Sequence, residues 1–221
     1  MKRLIEGIAH FYKHVRPTCK DTFAKLALGQ KPDCLFIACS DSRVVPNLFA
    51  SSDPGDLFVI RNPGNIVAPC GTDGKSQADE SEAGAIEFAL MHLGVPDIVV
   101  CGHSSCGAMR AICGEVDLGR AENLKAWLRH AEEALEIPAG VHFDPLLTRA
   151  DLVSQVNTFV QLRNLLSYPF VAERVKSGKL RLHAWWFDIG NAEVEVFDDG
   201  MKRFRVIDDQ HVHDLLARIG K

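Results

Sequence analysis

The first thirty residues carry the apolar spacing of an amphipathic helix. Four apolar residues recur at spacings of four, three and four: Leu4, Ile8, Phe11 and Val15. Residues three and four apart share one helix face, so this stripe predicts a helix over 4–15. A second helix is predicted over about 18–28, with Gly29 as its C-cap. We therefore expect residues 1–30 to form a helical arm.

Three short apolar runs further along predict buried strands. They lie at 34–38, 57–60 and 98–101, and each follows a turn signal that contains proline and aspartate. Each run is too short for a helix and is apolar on both faces, as strands of a parallel sheet are. Residues 82–93 repeat apolar positions at helical spacing between the last two runs. A strand, helix, strand order predicts a parallel α/β sheet.

The second half of the chain predicts further helices and an antiparallel edge. Helices are expected over 120–136 and 148–166, a fourth strand over 181–188, a hairpin of 193–197 with 204–206, and a closing helix over about 208–218. In the helix at 148–166 the predicted core stripe is Leu152, Val156, Phe159 and Leu166.

The expected fold is α/β, with a mostly parallel four-stranded sheet, an antiparallel edge, flanking helices and the N-terminal arm. We expect one domain over 1–221, with the arm at 1–30, the chemical core at 31–120 and the remaining elements at 121–221.

Composition narrows the class of protein. The 221 residues are 47% hydrophobic and 24% charged, which is typical of a globular domain rather than a disordered or membrane-spanning chain. A net charge of −4 argues against nucleic acid as a partner. Glu6, His10 and Lys13 interrupt what a signal peptide would keep apolar, so we expect no secretion and no membrane association. Seven cysteines cannot all pair within the chain, which favours reduced thiols in the cytoplasm.

Candidate chemistry follows two of the predicted strands. The first runs into Cys39-Ser-Asp-Ser-Arg43 and the third into Gly102-His-Ser-Ser-Cys106. Ligands of open α/β sheets gather at the carboxyl ends of strands, so Cys39, His103 and Cys106 can converge if these strands are neighbours. Two thiolates and an imidazole suit Zn²⁺, and three protein ligands leave a fourth position, as in catalytic sites. Asp41 is the neighbour that could occupy or face that position.

Other interpretations compete with a catalytic zinc site. A single cysteine at a strand end is more often a core residue, and Cys34, Cys101 and Cys113 are assigned to packing. A non-catalytic zinc-binding module would use the same ligands but would need neither Asp41 nor Arg43. A thiol nucleophile made of Cys106 and His103 would leave Cys39 and Asp41 unexplained.

These motifs resemble the β-class carbonic anhydrases, in particular the plant-like and bacterial branch. The resemblance rests on Cys39-Ser-Asp-Ser-Arg43, on His103-Ser-Ser-Cys106, and on Arg61-Asn62 with Gly64-Asn65, and it extends over nearly the whole chain. It implies one Zn²⁺ on Cys39, His103 and Cys106 and the reversible hydration of carbon dioxide to bicarbonate and a proton by zinc-bound hydroxide. It also implies that Asp41 accepts a hydrogen bond from that hydroxide while Arg43 holds Asp41. Release by Arg43 would let Asp41 become the fourth zinc ligand in an inactive state.

The resemblance extends to the substrate pocket and to assembly. It implies substrate contacts by Gln30, Phe58, Phe88 and Gly107, with Phe88 where the branch usually has tyrosine. A bicarbonate regulatory site of some bacterial members uses tryptophan, arginine and tyrosine. The matching residues here are Phe36, Arg61 and Phe187, so we expect no such regulation.

Carbon dioxide or bicarbonate and a second copy of the chain are the expected partners, in a homodimer that could pair into a tetramer. The same scaffold acting on CS₂ or COS is the alternative enzyme.

Overall fold

Six strands form one mixed sheet. The structure is a computed structural model that describes residues 1–219. The strands are β1 (Cys34–Cys39), β2 (Leu57–Asn62), β3 (Asp97–His103), β4 (Arg181–Asp188), β5 (Glu193–Asp198) and β6 (Arg203–Val206). Their order is β2-β1-β3-β4-β5-β6, and the first four are parallel while β5 and β6 are antiparallel. The predicted α/β fold, with four parallel strands and an antiparallel edge, is confirmed.

Helices flank the sheet, and several contain π-helical or 3-10 segments. They are α1 (Lys2–His10) with a π-helical segment at Phe11–Val15, α2 (Arg16–Leu26), α3 (Pro46–Phe49), α4 (Glu80–Glu87) with a π-helical segment at Phe88–Leu93, α5 (Gly107–Ile112), α6 (Glu122–Leu128) with a 3-10 segment at Arg129–Leu135, α7 (Arg149–Leu166), α8 (Pro169–Lys176) and α9 (Val212–Ile219). No helix within residues 1–219 is long and apolar enough to cross a membrane.

The N-terminal arm differs from its prediction. The two predicted helices are one continuous helical run, in which the Arg16 N–H bonds to the Phe11 carbonyl across the π-helical segment just before Pro17. The prediction that Gly29 caps the second helix is wrong. That helix ends at Leu26, and the amides of Leu28 and Gly29 close its last turn on the carbonyls of Lys25 and Leu26.

Strands β1 and β3 are buried on both faces, as their continuous apolar runs predict. The prediction of a buried strand at 57–60 is wrong in this respect, because β2 lies at the edge of the sheet, has no buried residue, and leaves Val59 36% exposed. In β1, Leu35 and Ile37 pack on one face with α4, the end of α7 and α8, while Phe36 and Ala38 pack on the other. The first face is covered by helices. The second is covered over part of its area by Phe49 of α3, and a groove of about 590 Å³ is lined by this face and by Val212, Leu215 and Leu216 of α9.

The arm packs against none of this core. No residue of α1, α2 or the segment between them is buried, and the predicted stripe is open to solvent. The exposed fractions are 65% for Leu4, 68% for Ile8, 43% for Phe11 and 41% for Val15. An apolar stripe of this length is unusual on the surface of a single chain.

Candidate metal centre

Two adjacent parallel strands bring the predicted ligands together. Strand β1 ends at Cys39 and β3 ends at His103, and the two strands pair directly. The sulfurs of Cys39 and Cys106 and a ring nitrogen of His103 lie within 4.8 Å of one another, and all three residues are buried. Within residues 1–219 no other three side chains of these ligand types come so close. The convergence predicted from the strand ends is therefore present.

One ring nitrogen of His103 has no hydrogen-bond partner among residues 1–219. Its Nδ1 lies 2.9 Å from the carbonyl oxygen of Ser104, so Nδ1 donates and Nε2 carries the lone pair. Nε2 is buried without a hydrogen-bond partner. A buried nitrogen acceptor beside two sulfurs is the donor set that a soft divalent cation such as Zn²⁺ satisfies.

The pKa values of the two thiols, Cys39 and Cys106, are shifted in opposite directions. A hydrogen bond from Cys106 lowers the pKa of Cys39, and the Gly64 amide, 3.3 Å from the Cys39 sulfur, stabilises the thiolate further. The same contact and burial raise the pKa of Cys106. Two thiolates in this buried space would require a positive charge between them, which a bound cation would supply.

Asp41 forms a paired contact with Arg43 beside the cluster. Arg43 Nε donates to Oδ1 at 2.9 Å and Nη2 donates to Oδ2 at 2.8 Å, and the Arg43 amide donates to Oδ1 at 3.0 Å. This paired guanidinium keeps the pKa of Asp41 well below its usual range. Arg43 Nη2 also donates to the Ser105 carbonyl at 3.2 Å, which joins the loop after β1 to the loop after β3.

Arg61 fixes the backbone of the first ligand loop. Its Nε and Nη2 donate to the Cys39 carbonyl at 3.0 and 2.9 Å, and Nη2 also donates to the Asp41 carbonyl at 2.6 Å. The guanidinium thus holds the residues on both sides of Ser40.

Comparison with known proteins agrees with this geometry. A family model described as carbonic anhydrase matches residues 34–194. A carbonic anhydrase of Pseudomonas aeruginosa is 40% identical over 204 residues, which are 92% of this chain and 90% of that protein. The solved β-carbonic anhydrase CcaA is 37% identical with a TM-score of 0.81 and covers 93% of this chain and 98% of its own. The chain belongs to the β-carbonic anhydrase family.

Further relatives extend the same likeness. Carbonic anhydrase 1 of Escherichia coli O157:H7 is 37% identical over 92% of this chain and 91% of its own. A tetrameric β-carbonic anhydrase of the ascomycete Sordaria macrospora is 30% identical with a TM-score of 0.73, over 88% of this chain and 95% of its own. The chain is accordingly an enzyme of the carbonic anhydrase class, and its cysteine, histidine and cysteine cluster fits zinc-dependent hydration of carbon dioxide.

The predicted substrate residues of this carbonic anhydrase lie at different places. Gly107 follows Cys106 directly and begins α5 beside the cluster. Phe58 lies opposite Leu35, four residues before the level of Cys39, which is roughly 13 Å along the strand. Phe58 contacts Phe88, with their ring centroids 6.0 Å apart, and Phe88 is 42% exposed. Gln30 is exposed and precedes the start of β1. One chain therefore brings Gly107 to the cluster, but not Gln30, Phe58 or Phe88.

Sequence reasoning missed the role of α7 in this carbonic anhydrase. The predicted core stripe is only partly buried, since Leu166 is 41% exposed and Leu152 and Phe159 are half-buried. Much of the buried face is instead polar, with residues three and four apart: Ser154, Asn157, Gln161 and Asn164. That polar spacing was the signal available in the sequence.

The polar face of α7 holds both loops that form the site. The His103 amide donates to Ser154 Oγ at 3.2 Å, and the Ser154 hydroxyl donates to the His103 carbonyl at 2.8 Å. Asn157 donates to the Gly64 carbonyl at 2.9 Å, and the Val67 amide donates to Gln161 at 2.9 Å. One helix thus positions His103 of the cluster and the loop whose Gly64 amide bonds to the Cys39 sulfur.

Proposed function

We propose that this carbonic anhydrase holds one Zn²⁺ on Cys39, His103 and Cys106 and catalyses the reversible hydration of carbon dioxide to bicarbonate and a proton. The observation that carries the proposal is the buried, unpartnered Nε2 of His103 beside two thiols, with the Asp41–Arg43 pair next to them. Bound zinc would supply the acidity that turns a water into a nucleophile near neutral pH.

Asp41 and Arg43 are the proposed catalytic residues. Asp41 stays ionised at neutral pH because Arg43 stabilises its negative charge, so its oxygens accept hydrogen bonds and donate none. It can therefore accept a hydrogen bond from the attacking water and orient the lone pair of that water. Arg43 keeps the carboxylate from becoming a fourth metal ligand. The same pair argues against a non-catalytic zinc module, which would have no use for it.

A combined metal and activity measurement tests this function. Zinc content and stopped-flow hydration of carbon dioxide are measured on the wild type, on Cys39→Ser and on Cys113→Ser, whose thiol is half-buried and lies outside the cluster. We expect one zinc per chain and fast hydration in the wild type and Cys113→Ser, and loss of both in Cys39→Ser. Zinc-loaded wild type that does not hydrate carbon dioxide would refute the proposal, and turnover of CS₂ or COS by it would support the alternative enzyme.

We propose a homodimer in which the arm of one copy packs on the open sheet face of the other. The 590 Å³ groove is lined by apolar side chains that include Phe36, Val99 and Trp185, and it offers the space that an apolar stripe needs. Charge supports the match, because residues 1–30 contain six lysines and arginines against two acids, while the groove is lined by three aspartates, Asp33, Asp97 and Asp199, against one arginine, Arg181. The tetrameric relative supports self-association, and a tetramer of two such dimers is the larger form that we propose.

The dimer also gives a place to the remaining substrate residues. Gln30, Phe58 and Phe88 stay proposed substrate contacts, and their distance from the cluster of their own chain means that they would serve the site of the second copy. The oligomer is tested by light scattering on size-exclusion eluates of Ile8→Asp and of Lys13→Gln, a variant with a change elsewhere on the arm. Ile8→Asp is expected to yield monomer, and Lys13→Gln the wild-type mass; a wild-type mass for both would contradict the arm contact.

We further propose a cytoplasmic location. The support is chemical, since Cys39 and Cys106 must stay reduced to bind the metal and lie close to each other. Fractionation of cells that express the untagged chain would test it.

A further inference from the structure

Ser105 adopts a strained backbone conformation between two metal ligands. It lies between His103 and Cys106 and has a φ of 55°, in the left-handed region that non-glycine residues rarely adopt. Such a conformation persists only where the surroundings hold it. Both backbone groups of Ser105 are in fact held: its amide donates to Asp151 Oδ1 at 2.6 Å, and its carbonyl accepts from Arg43 Nη2 at 3.2 Å.

Asp151 is itself fixed at the start of α7. Thr148 is the N-cap, its Oγ1 accepts from the Asp151 amide at 3.1 Å, and the same hydroxyl donates to Asp151 Oδ2 at 2.7 Å. In an ordinary capping box the acidic side chain returns to the N-cap amide of its own helix. Asp151 instead directs Oδ1 to a residue 46 positions earlier in the chain. Capping alone does not account for that contact.

The contact reaches the Asp41–Arg43 pair. The side chain of Arg43 is 49% exposed, and a long exposed side chain has many conformations to lose. The Ser105 carbonyl ties its Nη2 to a second loop, so the position of that carbonyl decides where the guanidinium lies when it binds Asp41. The carbonyl can hold this position only while the Ser105 turn keeps its left-handed conformation.

We propose that Asp151 is a positioning residue of the active site, which fixes the Ser105 turn so that the Ser105 carbonyl holds Arg43 in its contact with Asp41. The inference rests on the proposed function for its catalytic consequence, but the structural contact stands apart from it. Asp151 touches neither the ligand atoms nor Asp41, and it acts through Ser105 and Arg43.

Three variants separate this role from helix capping. Asp151→Ala removes the acceptor for the Ser105 amide. Asp151→Asn keeps an oxygen at Oδ1 and should restore the contact. Thr148→Ala removes the cap of α7 and one of the contacts that fix Asp151, but it leaves Oδ1 in place to accept from the Ser105 amide. If Asp151→Ala does not fold, Asp151→Glu, which keeps the charge at the helix start but displaces the carboxylate, takes its place.

The first readout is hydrogen exchange at the Ser105 amide, measured by NMR on zinc-loaded protein. We expect exchange to rise at least about tenfold in Asp151→Ala, the factor for a loss of about 1.4 kcal/mol, and to stay near the wild-type rate in Asp151→Asn. In Thr148→Ala, which keeps the acceptor of the Ser105 amide, the rise should be clearly smaller than in Asp151→Ala. Unchanged exchange in Asp151→Ala would overturn the proposal.

The second readout is kcat/KM for carbon dioxide hydration at one zinc per chain. We expect about a tenfold loss in Asp151→Ala, rescue by Asp151→Asn, and a clearly smaller loss in Thr148→Ala than in Asp151→Ala. An equal loss in Thr148→Ala, or no rescue by Asp151→Asn, would refute the positioning role. If the wild type itself is inactive, the proposed function fails, and the exchange rates still decide whether Asp151 holds Ser105.

Discussion

Replacing Glu82 with glutamine should reduce the fall in the free energy of unfolding that this protein shows as the pH rises from 6 to 8. Glu82 is in the first turn of α4 and is only 5% exposed. Its Oε1 accepts from Asn62 Nδ2 at 3.2 Å, and the Ala68 amide lies 3.5 Å from Oε2. These two contacts do not replace the lost hydration, so burial raises the pKa of Glu82 from 4.5 to about 8.

The direction of the effect follows from proton binding. Between pH 4.5 and pH 8 the folded chain keeps the proton on Glu82 while the unfolded chain has lost it. Stability then falls as the pH rises, because the unfolded state binds fewer protons. At about 1.36 kcal/mol per pKa unit the whole window corresponds to about 5 kcal/mol, of which about 2 kcal/mol is lost between pH 6 and pH 8.

Urea unfolding followed by tryptophan fluorescence measures this loss. Wild type, Glu82→Gln and Glu87→Gln are compared at pH 6 and pH 8, with protein concentration and zinc content matched because association and metal binding also stabilise the folded state. Glu87 is exposed in the same helix and controls for the loss of one negative charge. Burial and neighbouring acids also raise the pKa of Glu195, to about 7, but its contribution is common to all three proteins.

The comparison has one expected and two contrary outcomes. Glu82→Gln should lose about 2 kcal/mol less than the wild type over this pH range, and Glu87→Gln should follow the wild type. Equal losses in the wild type and Glu82→Gln would mean that ionising this carboxyl costs nothing in the folded protein. An equally reduced loss of unfolding free energy in both variants would assign the effect to net charge rather than to burial.

Two further predictions concern the packing around the site. A Cβ at Gly102 would lie 2.8 Å from the Ser154 carbonyl oxygen, so Gly102→Ala should lower the free energy of unfolding by about 1–3 kcal/mol and weaken zinc retention against a chelator. The control is Gly84→Ala, where a Cβ meets open space; it should stabilise α4 by up to about 1 kcal/mol. Tyr168→Phe removes a buried hydrogen bond to the Ala68 carbonyl at 2.8 Å and should lower the free energy of unfolding in urea by about 1–2 kcal/mol. The control Tyr12→Phe changes a side chain that is 65% exposed and should leave this free energy unchanged. An unchanged free energy of unfolding in Tyr168→Phe would contradict the assigned bond.

The central sheet and the ligand cluster could be predicted because local signals and topology agree there. Leu35 to Ala38 form an apolar run that is too short for a helix, and a parallel strand of this kind delivers the next residue, Cys39, to the carboxyl edge. His103 reaches the same edge from the adjacent strand. The order of these elements and their short connections leave few alternatives.

The orientation of α7 could not be predicted from apolar spacing. Asn157 and Gln161 are buried because they bond to the backbone of a loop nearly a hundred residues away, a contact that no local pattern reports. The exposed stripe of the arm and the separation of Phe58 from the cluster have a different cause. Their partners lie outside the chain that carries them, according to the dimer that we propose.

The buried polar face of α7 ties the opening of the site to the opening of the protein core. His103 and the Gly64 loop follow different strands, yet both bond to side chains of this one helix. A local fluctuation that frees either loop must break contacts to a helix that also packs on β3 and β4. The site and the helix therefore belong to one cooperative unfolding unit, and we expect their amides to exchange together at a free energy close to that of global unfolding. Escape of a bound metal ion would then be limited by rare unfolding of this unit rather than by fluctuations of the loops alone.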